Sequence, residues 1–177
     1  MEAWKLTVWS RYRASIDEVW DQKTDPHALA REFLPCLHLR VDDVEGLRQA
    51  LREAGCGTFA GRVTGPIGLI GLSWPLEVRE TRPTVFYCDA SHNRLFTEFV
   101  HQHRFEQTPA GLVRYVDEVT FTPAFRPRRL VAEVMRALFV HRHRQAAREL
   151  RVDGDAVART WLRRVSAPLR AGGATSV

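Results

Sequence analysis

The residues best suited to chemistry in this 177-residue sequence are His101, His103 and Asp117. His101 and His103 are two apart, so on a strand both side chains leave the same face. If the next strand returns as a hairpin, Asp117 stands across from His101 with Cβ atoms about 5 Å apart. Two imidazoles and a carboxylate can hold a metal. They can also act as a general acid/base pair, with Asp117 fixing the imidazole tautomer. The plainer alternative is a satisfied polar network that ends a cavity and orients a ligand. A buried carboxylate without a donor is costly, so Asp117 needs His101 or Arg142 whatever the function. We take the network reading as the expectation, keep His101 and Asp117 as candidate catalytic residues, and expect no metal and no cofactor.

Other groups are weaker candidates. His141 and His143 flank Arg142 on a helix, where positions two apart do not share a face, so they make a poor chelate. One of the two is expected inside and the other on the surface. An inward Arg142 can grip a ligand carboxylate or phosphate with its planar fork, or pair with Asp117 or Glu149. Gly65-Pro-Ile-Gly-Leu-Ile-Gly71 lacks the spacing of a dinucleotide or phosphate loop and reads as a hairpin tip. As a cavity mouth it would let Ile67, Leu69 and Ile70 touch a membrane or partner transiently. No Gly-x-Ser-x-Gly is present, which leaves serine hydrolase chemistry without support. Cys36, Cys56 and Cys88 form no Cys-x-x-Cys pair, which argues against a thiolate zinc or dithiol site. Cys88 lies in an apolar row and is expected to stay protonated.

These side chains must be positioned by an α+β fold. Residues 4–12 alternate as a strand. Ser15-Ile16-Asp17-Glu18 is a capping box, and Asp25-Pro26 starts a second short helix that ends near Leu34-Pro35. Leu37–Val41 reads as a strand. Asp42 or Asp43 opens a helix carrying Val44, Leu47, Leu51 and Ala54 on one face, closed by Gly55. Residues 57–123 read as antiparallel strands, 127–150 as a long helix, and about 155–165 as a second helical stretch with Val157, Trp161, Leu162 and Val165. The segment 171–177 reads as a frayed tail.

Turn chemistry proposes a register. Pairing Gln107 with Gly111 sets Phe105 opposite Val113, His103 opposite Tyr115 and His101 opposite Asp117. A turn at Asn93-Arg94 sets Phe86 beside His101 and Cys88 beside Phe99, and a loop at Thr81-Arg82-Pro83 sets Val78 beside Phe86. One face then carries Trp74, Leu76, Val78, Phe86, Cys88, Ala90, Phe99, Phe105, Val113, Val119 and Phe121. The other carries Glu77, Arg79, Asp89, Glu98, Gln102, Arg104, Glu106, Arg114, Glu118 and Thr120, a wet side. The long helix is the available cover. Its expected inward stripe is Leu130, Val131, Val134 and Leu138 with Met135 at the edge, continuing to His141, Arg142, Gln145 and Glu149.

Composition bounds the rest. The chain is 45% hydrophobic and 27% charged, an ordinary globular balance. No run of 18 apolar residues suits a membrane span, and the first residues do not read as a secretory signal. A cytoplasmic location is expected. The net charge is +5, with 26 Lys+Arg against 21 Asp+Glu. Residues 126–177 hold 12 Arg and only Glu133, Glu149, Asp153 and Asp155 as acids. That basic third can be a solvated surface or can meet an acidic partner. No nucleic-acid reading motif accompanies it, so no specific nucleic acid is expected.

Residues 10–20 (Ser-Arg-Tyr-Arg-Ala-Ser-Ile-Asp-Glu-Val-Trp) resemble the opening strand-to-helix passage of the START-related superfamily, which includes Bet v 1-like and polyketide cyclase/dehydrase-like (SRPBCC) proteins. Trp74-Pro-Leu-Glu-Val78, His101-Gln-His-Arg-Phe-Glu106, Asp117-Glu-Val-Thr-Phe-Thr-Pro123 and Phe139-Val-His-Arg-His-Arg144 are similar to a bacterial branch of it. The resemblance implies a helix-grip fold, a curved antiparallel sheet around a long C-terminal helix with a cavity between them. It implies binding or carriage of a hydrophobic or amphipathic molecule, such as a lipid, isoprenoid or polyketide. It carries over no catalytic residue. The helix at 42–55 departs from the family pattern, as a lid or a capping insertion. Residues 1–150 are expected to form the ligand-binding domain and 151–177 a helical extension and flexible tail, the whole a monomer or homodimer. The expected ligand-binding residues are Trp74, Leu76, Val78, Phe86, Phe99, Val119, Phe121, Met135 and Leu138 along the walls. His101, His103, Tyr115, Asp117 and Arg142 are expected at the polar end. Two alternatives remain: a cyclase or dehydratase using acid/base residues in the same cavity, and a non-catalytic interaction module with a basic surface.

Overall fold

A computed structural model describes residues 2–53, 56–65, 71–82, 85–89, 93–150 and 159–166. Strand β1 (Glu2–Tyr12) leads into helices α1 (Ile16–Thr24) and α2 (Pro26–Glu32). The capping box forms as the sequence dictates: Ser15 Oγ accepts from the Glu18 N–H, and Glu18 accepts from the Ser15 N–H. Asp25 caps α2, with Pro26 in its first turn. Strand β2 (His38–Val41), helix α3 (Val44–Arg52) and the short strands β3 (Gly57–Phe59), β4 (Gly61–Thr64) and β5 (Gly71–Ser73) follow. Then come β6 (Leu76–Arg82), β7 (Val85–Asp89), β8 (Phe96–Gln107), β9 (Val113–Pro123), helix α4 (Arg128–Glu149) and β10 (Arg159–Ser166).

The main sheet is antiparallel, in the order β10-β1-β9-β8-β7-β6-β3, with β2-β4-β5 as a small second sheet. Helix α4 lies on the concave face, and α1, α2 and α3 gather at the same side. Two apolar clusters fill the space. One joins Tyr12, Val19, Leu47, Leu51, Phe105 and Tyr115; the other joins Trp4, Leu6, Phe99, Phe121, Met135 and Phe139. Trp74 is held by close backbone approach: its N–H donates to the Gly61 carbonyl, and a Cβ at Gly61 would fall 2.7 Å from the Trp74 carbonyl oxygen. Among the described residues no helix is long and apolar enough to cross a membrane.

Several expectations are corrected. The stretch near 155–165 is not helical where it is described: Arg159–Ser166 is a strand paired with β1 from Glu2↔Ser166 to Trp9↔Arg159. The apolar spacing of Trp161, Leu162 and Val165 mimics a helix face, but the open edge of β1 needs a ladder partner. Leu162 packs inward opposite Leu6, while Trp161 is 64% exposed. Val157 and the tail lie outside the described residues.

Each central hairpin is also displaced from the proposed register, by two residues except past the bulge in β6, where the shift is three. Phe105 faces Tyr115, His103 faces Asp117 and His101 faces Val119. Phe86 faces His103 and Cys88 faces His101. Val78 faces Cys88, with a bulge between Val78 and Glu80. The hairpin loop runs over five residues, closed by Thr108 donating to and accepting from Leu112 and turned at Gly111, which has φ +74°. A slip of two preserves the identity of each face, so the dry and wet sides stand, apart from Asp89, which is buried beside Arg79. The Phe86 side chain and Ala90 lie outside the described residues.

The inward stripe of α4 is rotated from the expected one. Ala132, Met135, Phe139, Arg142, His143 and Ala146 are buried, whereas Leu130 and Val134 are 60% and 57% exposed and Leu138 is half-buried. Alanine at 132 and 146 lets the helix axis approach the sheet, which larger aliphatic residues would prevent.

A chain ending at residue 150 should lose the cover of β1 and expose its ladder edge. We expect a lower urea midpoint and concentration-dependent self-association by sedimentation velocity; an unchanged monomer would show that β10 adds nothing to the domain.

Candidate functional site

Local structure explains how charged side chains reach the interior. Val19 is buried on α1, and the residue four later, Lys23, lies on the same stripe. Ala28 is buried on α2, and four later comes Glu32. Strand β8 turns His101 and His103 to the concave face, and β9 does the same with Tyr115 and Asp117. Helix α4 contributes Arg142 and His143.

These side chains form one connected network. Asp117 Oδ1 accepts from His101 Nε2 at 2.9 Å and from the Tyr115 hydroxyl, and lies 3.0 Å from His103 Nδ1. Asp117 Oδ2 accepts from Arg142 Nη1 at 3.2 Å and from His143 Nε2 at 3.0 Å. Arg142 Nε donates to Glu32 Oε2 at 2.7 Å, and Lys23 Nζ meets Glu32 Oε1 at 2.6 Å. Lys23 Nζ also lies 4.5 Å from the Tyr115 ring centroid.

The partners assign the imidazole protons. His143 donates from Nε2 to Asp117, so its Nδ1 accepts from Ser10 Oγ at 2.8 Å. Tyr115 spends its proton on Asp117, so its oxygen accepts from His103 Nδ1 at 2.7 Å and from Arg142 Nη2 at 3.2 Å. With His101 donating from Nε2, each of the three rings has a partner for its one proton in the neutral form. Burial pushes the pKa of His101, His103 and His143 below the ordinary imidazole value, against the pull of Asp117. Burial works against ionised Asp117 too, but Arg142, His101 and His103 hold it well below the usual carboxylate range. For Arg142 the desolvation is outweighed by Asp117, Tyr115 and Glu32, which keep it charged. Burial pushes the Cys88 thiol up to about 12, an unreactive state.

Charge bookkeeping sets the chemistry. Two cations, Lys23 and Arg142, meet two carboxylates, Glu32 and Asp117, all buried to 2% exposure or less. His101, His103 and Asp117 do bring their ligand atoms within 4.8 Å of one another. A divalent cation there would place two more charges beside Arg142, in an interior already neutral, and would have to displace protons that the network uses. The arrangement therefore fits a hydrogen-bonded anchor better than a metal centre. Its one chemical opening is His101, whose side chain is 9% exposed while Asp117 is sealed. With Nε2–H on Asp117, Nδ1 is the basic nitrogen of that ring.

The five polar residues expected at the site, His101, His103, Tyr115, Asp117 and Arg142, thus come together. The expected wall residues Val78, Phe99, Val119, Phe121 and Met135 are buried in the two clusters, and Trp74, Leu76 and Leu138 are half-buried. Sequence reasoning missed Lys23, Glu32 and Ser10; the four-residue spacing from Val19 and from Ala28 was the available signal for the first two. His143 is the inward histidine, while His141 bonds the Leu34 carbonyl from a half-buried position. A surface cleft of about 670 Å³ lies elsewhere, at the start of α4, and none of the expected ligand-binding residues lines it.

Two measurements check this site. Arg142→Met leaves Lys23 alone to balance Glu32 and Asp117, one buried negative charge in excess, and should cost about 3–5 kcal/mol in urea unfolding, with part recovered when Glu32→Gln is added. Acid should also destabilise the fold. As pH falls through the ordinary imidazole range, the unfolded chain binds protons that the three buried rings refuse. Each such proton removes about 1.4 kcal/mol per pH unit. Asp117 acts the same way lower down, protonating in the unfolded chain while ionised in the fold. Urea midpoints should therefore drop steadily from pH about 7 to about 4, less steeply in His103→Gln; a flat profile would mean the imidazoles are charged in the fold.

No protein of curated function matches the sequence. Solved structures with the same fold include the Zhui aromatase/cyclase from Streptomyces sp. R1128, at a TM-score of 0.64 and 13% identity over 84% of this chain and 94% of that one. A START superfamily protein from Mycobacterium smegmatis aligns at a TM-score of 0.63 and 9% identity over 84% and 97%. A protein of Thermus thermophilus aligns at 0.63 and 14% over 82% and 96%. At such identities the likeness establishes the helix-grip fold of START and Bet v 1-like (SRPBCC) proteins. A family model matches residues 10–150, the whole span from the end of β1 through α4, and on that match the chain belongs to the family described as Domain of unknown function (DUF8410).

Proposed function

We propose that this protein binds and carries a hydrophobic or amphipathic small molecule against the concave face of its sheet. The observation that carries the reading is the uneven sealing of that face. Leu6, Val8, Tyr115 and Val119, on β1 and β9, are fully buried. Trp74 and Leu76, at the other side of the sheet, are only half-buried. Trp74 packs edge-on against Phe96 and Phe99, with centroids 5.9 and 5.3 Å away, and Leu76 touches both apolar clusters. An apolar molecule over Trp74 and Leu76 would complete a surface the protein leaves open. Phe99 and Met135 serve as its floor and His101 as its polar edge. His103, Tyr115, Asp117 and Arg142 act behind His101, holding α4 in place.

An enzymatic reading has one specific support. His101 donates to a buried carboxylate from one nitrogen, the arrangement that presents the other as a general base. A cyclase or dehydratase reaction at this edge would lose turnover in His101→Ala while ligand stays bound; equal loss of both would leave carriage as the function.

Native mass spectrometry of the protein purified from its own host should show a co-purifying apolar molecule. Titration with the neutral dye Nile red should show saturable binding, weakened roughly tenfold by Trp74→Ala or Leu76→Ser as apolar contact is lost. Binding that ignores both substitutions would place the ligand elsewhere and overturn the reading.

A further inference from the structure

We propose that the cleft at the start of α4 binds a phosphate monoester group, a site that shares no lining residue with the Trp74–Leu76 surface. The cleft, of about 670 Å³, is walled by Arg126, Arg128, Arg129 and Arg164, with Glu2 and Trp4 from β1. Four guanidiniums face one carboxylate, and Glu2 is already engaged by Arg164 at 3.4 Å. Among the described residues, Arg126, Arg128 and Arg129 have no acidic partner. Arginines in the first turn of a helix sit against the positive end of its dipole, an arrangement that costs stability unless an anion joins them.

The backbone and the floor of the cleft point the same way. Helix α4 begins at Pro127 with no side-chain cap. The Leu130 and Val131 N–H groups both donate to the Pro127 carbonyl, and those of Arg128 and Arg129 precede them as first-turn donors. Trp4 is 7% exposed, lines the cleft, and its indole Nε1–H has no hydrogen-bond partner. A buried donor left unsatisfied is unusual and calls for an acceptor. Arg128 Nε is likewise buried and unpartnered.

A phosphate monoester answers all of these at once. It carries nearly two charges near neutral pH, against one for a carboxylate, and three oxygens that accept from guanidinium forks, helix N–H groups and an indole. The cleft is much larger than the anion, which leaves room for the rest of the molecule. The phosphate can belong to a soluble amphiphile or to a lipid headgroup.

Calorimetric titration with hexyl phosphate tests the first source. Co-sedimentation with phosphatidylcholine vesicles, with and without phosphatidic acid, tests the second. Arg129 is exposed and Arg128 half-buried, and glutamine keeps a polar side chain at both, so Arg128→Gln/Arg129→Gln should fold, as circular dichroism will show. It should weaken binding roughly tenfold or more in whichever arm is positive. Trp4→Phe keeps the ring and removes the donor, and should weaken binding severalfold. Nile red binding should be unchanged in the arginine variant, separating this site from the carrier surface. Binding in neither arm, or binding indifferent to the arginine variant, overturns the proposal.

Discussion

A guanidinium cannot be dehydrated alone. Arg142 is 2% exposed in the middle of the concave face, and it is tolerable there because Glu32 and Asp117 take it from two sides. That single requirement organises the interior. Glu32 needs α2 packed against α4, and Asp117 needs β9 beneath it. Once Asp117 is ionised and buried, it draws donors from β8, β9 and α4, and those imidazoles are then fixed in tautomer and orientation. The helix is thereby seated on the sheet by directional bonds at its polar half and by Ala132, Met135 and Phe139 at its dry half.

Such an anchor has a bearing on how firmly the helix of a helix-grip fold is seated. Apolar packing alone lets a helix slide or roll over a sheet at small cost, because the contacts are non-directional. Hydrogen bonds to a sealed carboxylate do not allow it. The polar centre therefore fixes where α4 sits over β9. His101 stands beside it on β8, tilted against His103 with centroids 3.8 Å apart and edge-on to Phe139 at 5.1 Å.

Much of this was legible in the sequence, for reasons that can be named. The dry and wet faces were readable because parity survives an even slip: His101, His103, Tyr115 and Asp117 share a face in the proposed and the observed register alike. The cross-strand partner of Asp117 was not readable, since it depends on a loop closed by Thr108 and Leu112. Arg142 was readable as inward because it continues a helical stripe. The stripe itself was misplaced, since two of its aliphatic residues, Leu130 and Val134, are not the ones the sheet accepts. Lys23 and Glu32 were illegible by residue type, because charged residues on short helices ordinarily face water. The strand at Arg159–Ser166 was hidden by apolar spacing that suits both periodicities, and only the need to cover β1 decides between them.

The spread of the network along the chain has a kinetic consequence. Lys23 and Glu32 are near neighbours, but Glu32 meets Arg142 across 110 residues and Asp117 meets Arg142 across 25. Neither bond to Arg142 can form until the last long helix has docked on α2 and β9, so loop-closure entropy is met before that electrostatic gain. By that ordering, the bonds to Arg142 are expected to form after the transition state rather than in the nucleus. Interactions acquired that late leave the folding rate almost untouched and act on unfolding instead, making the anchor a brake on escape from the native state.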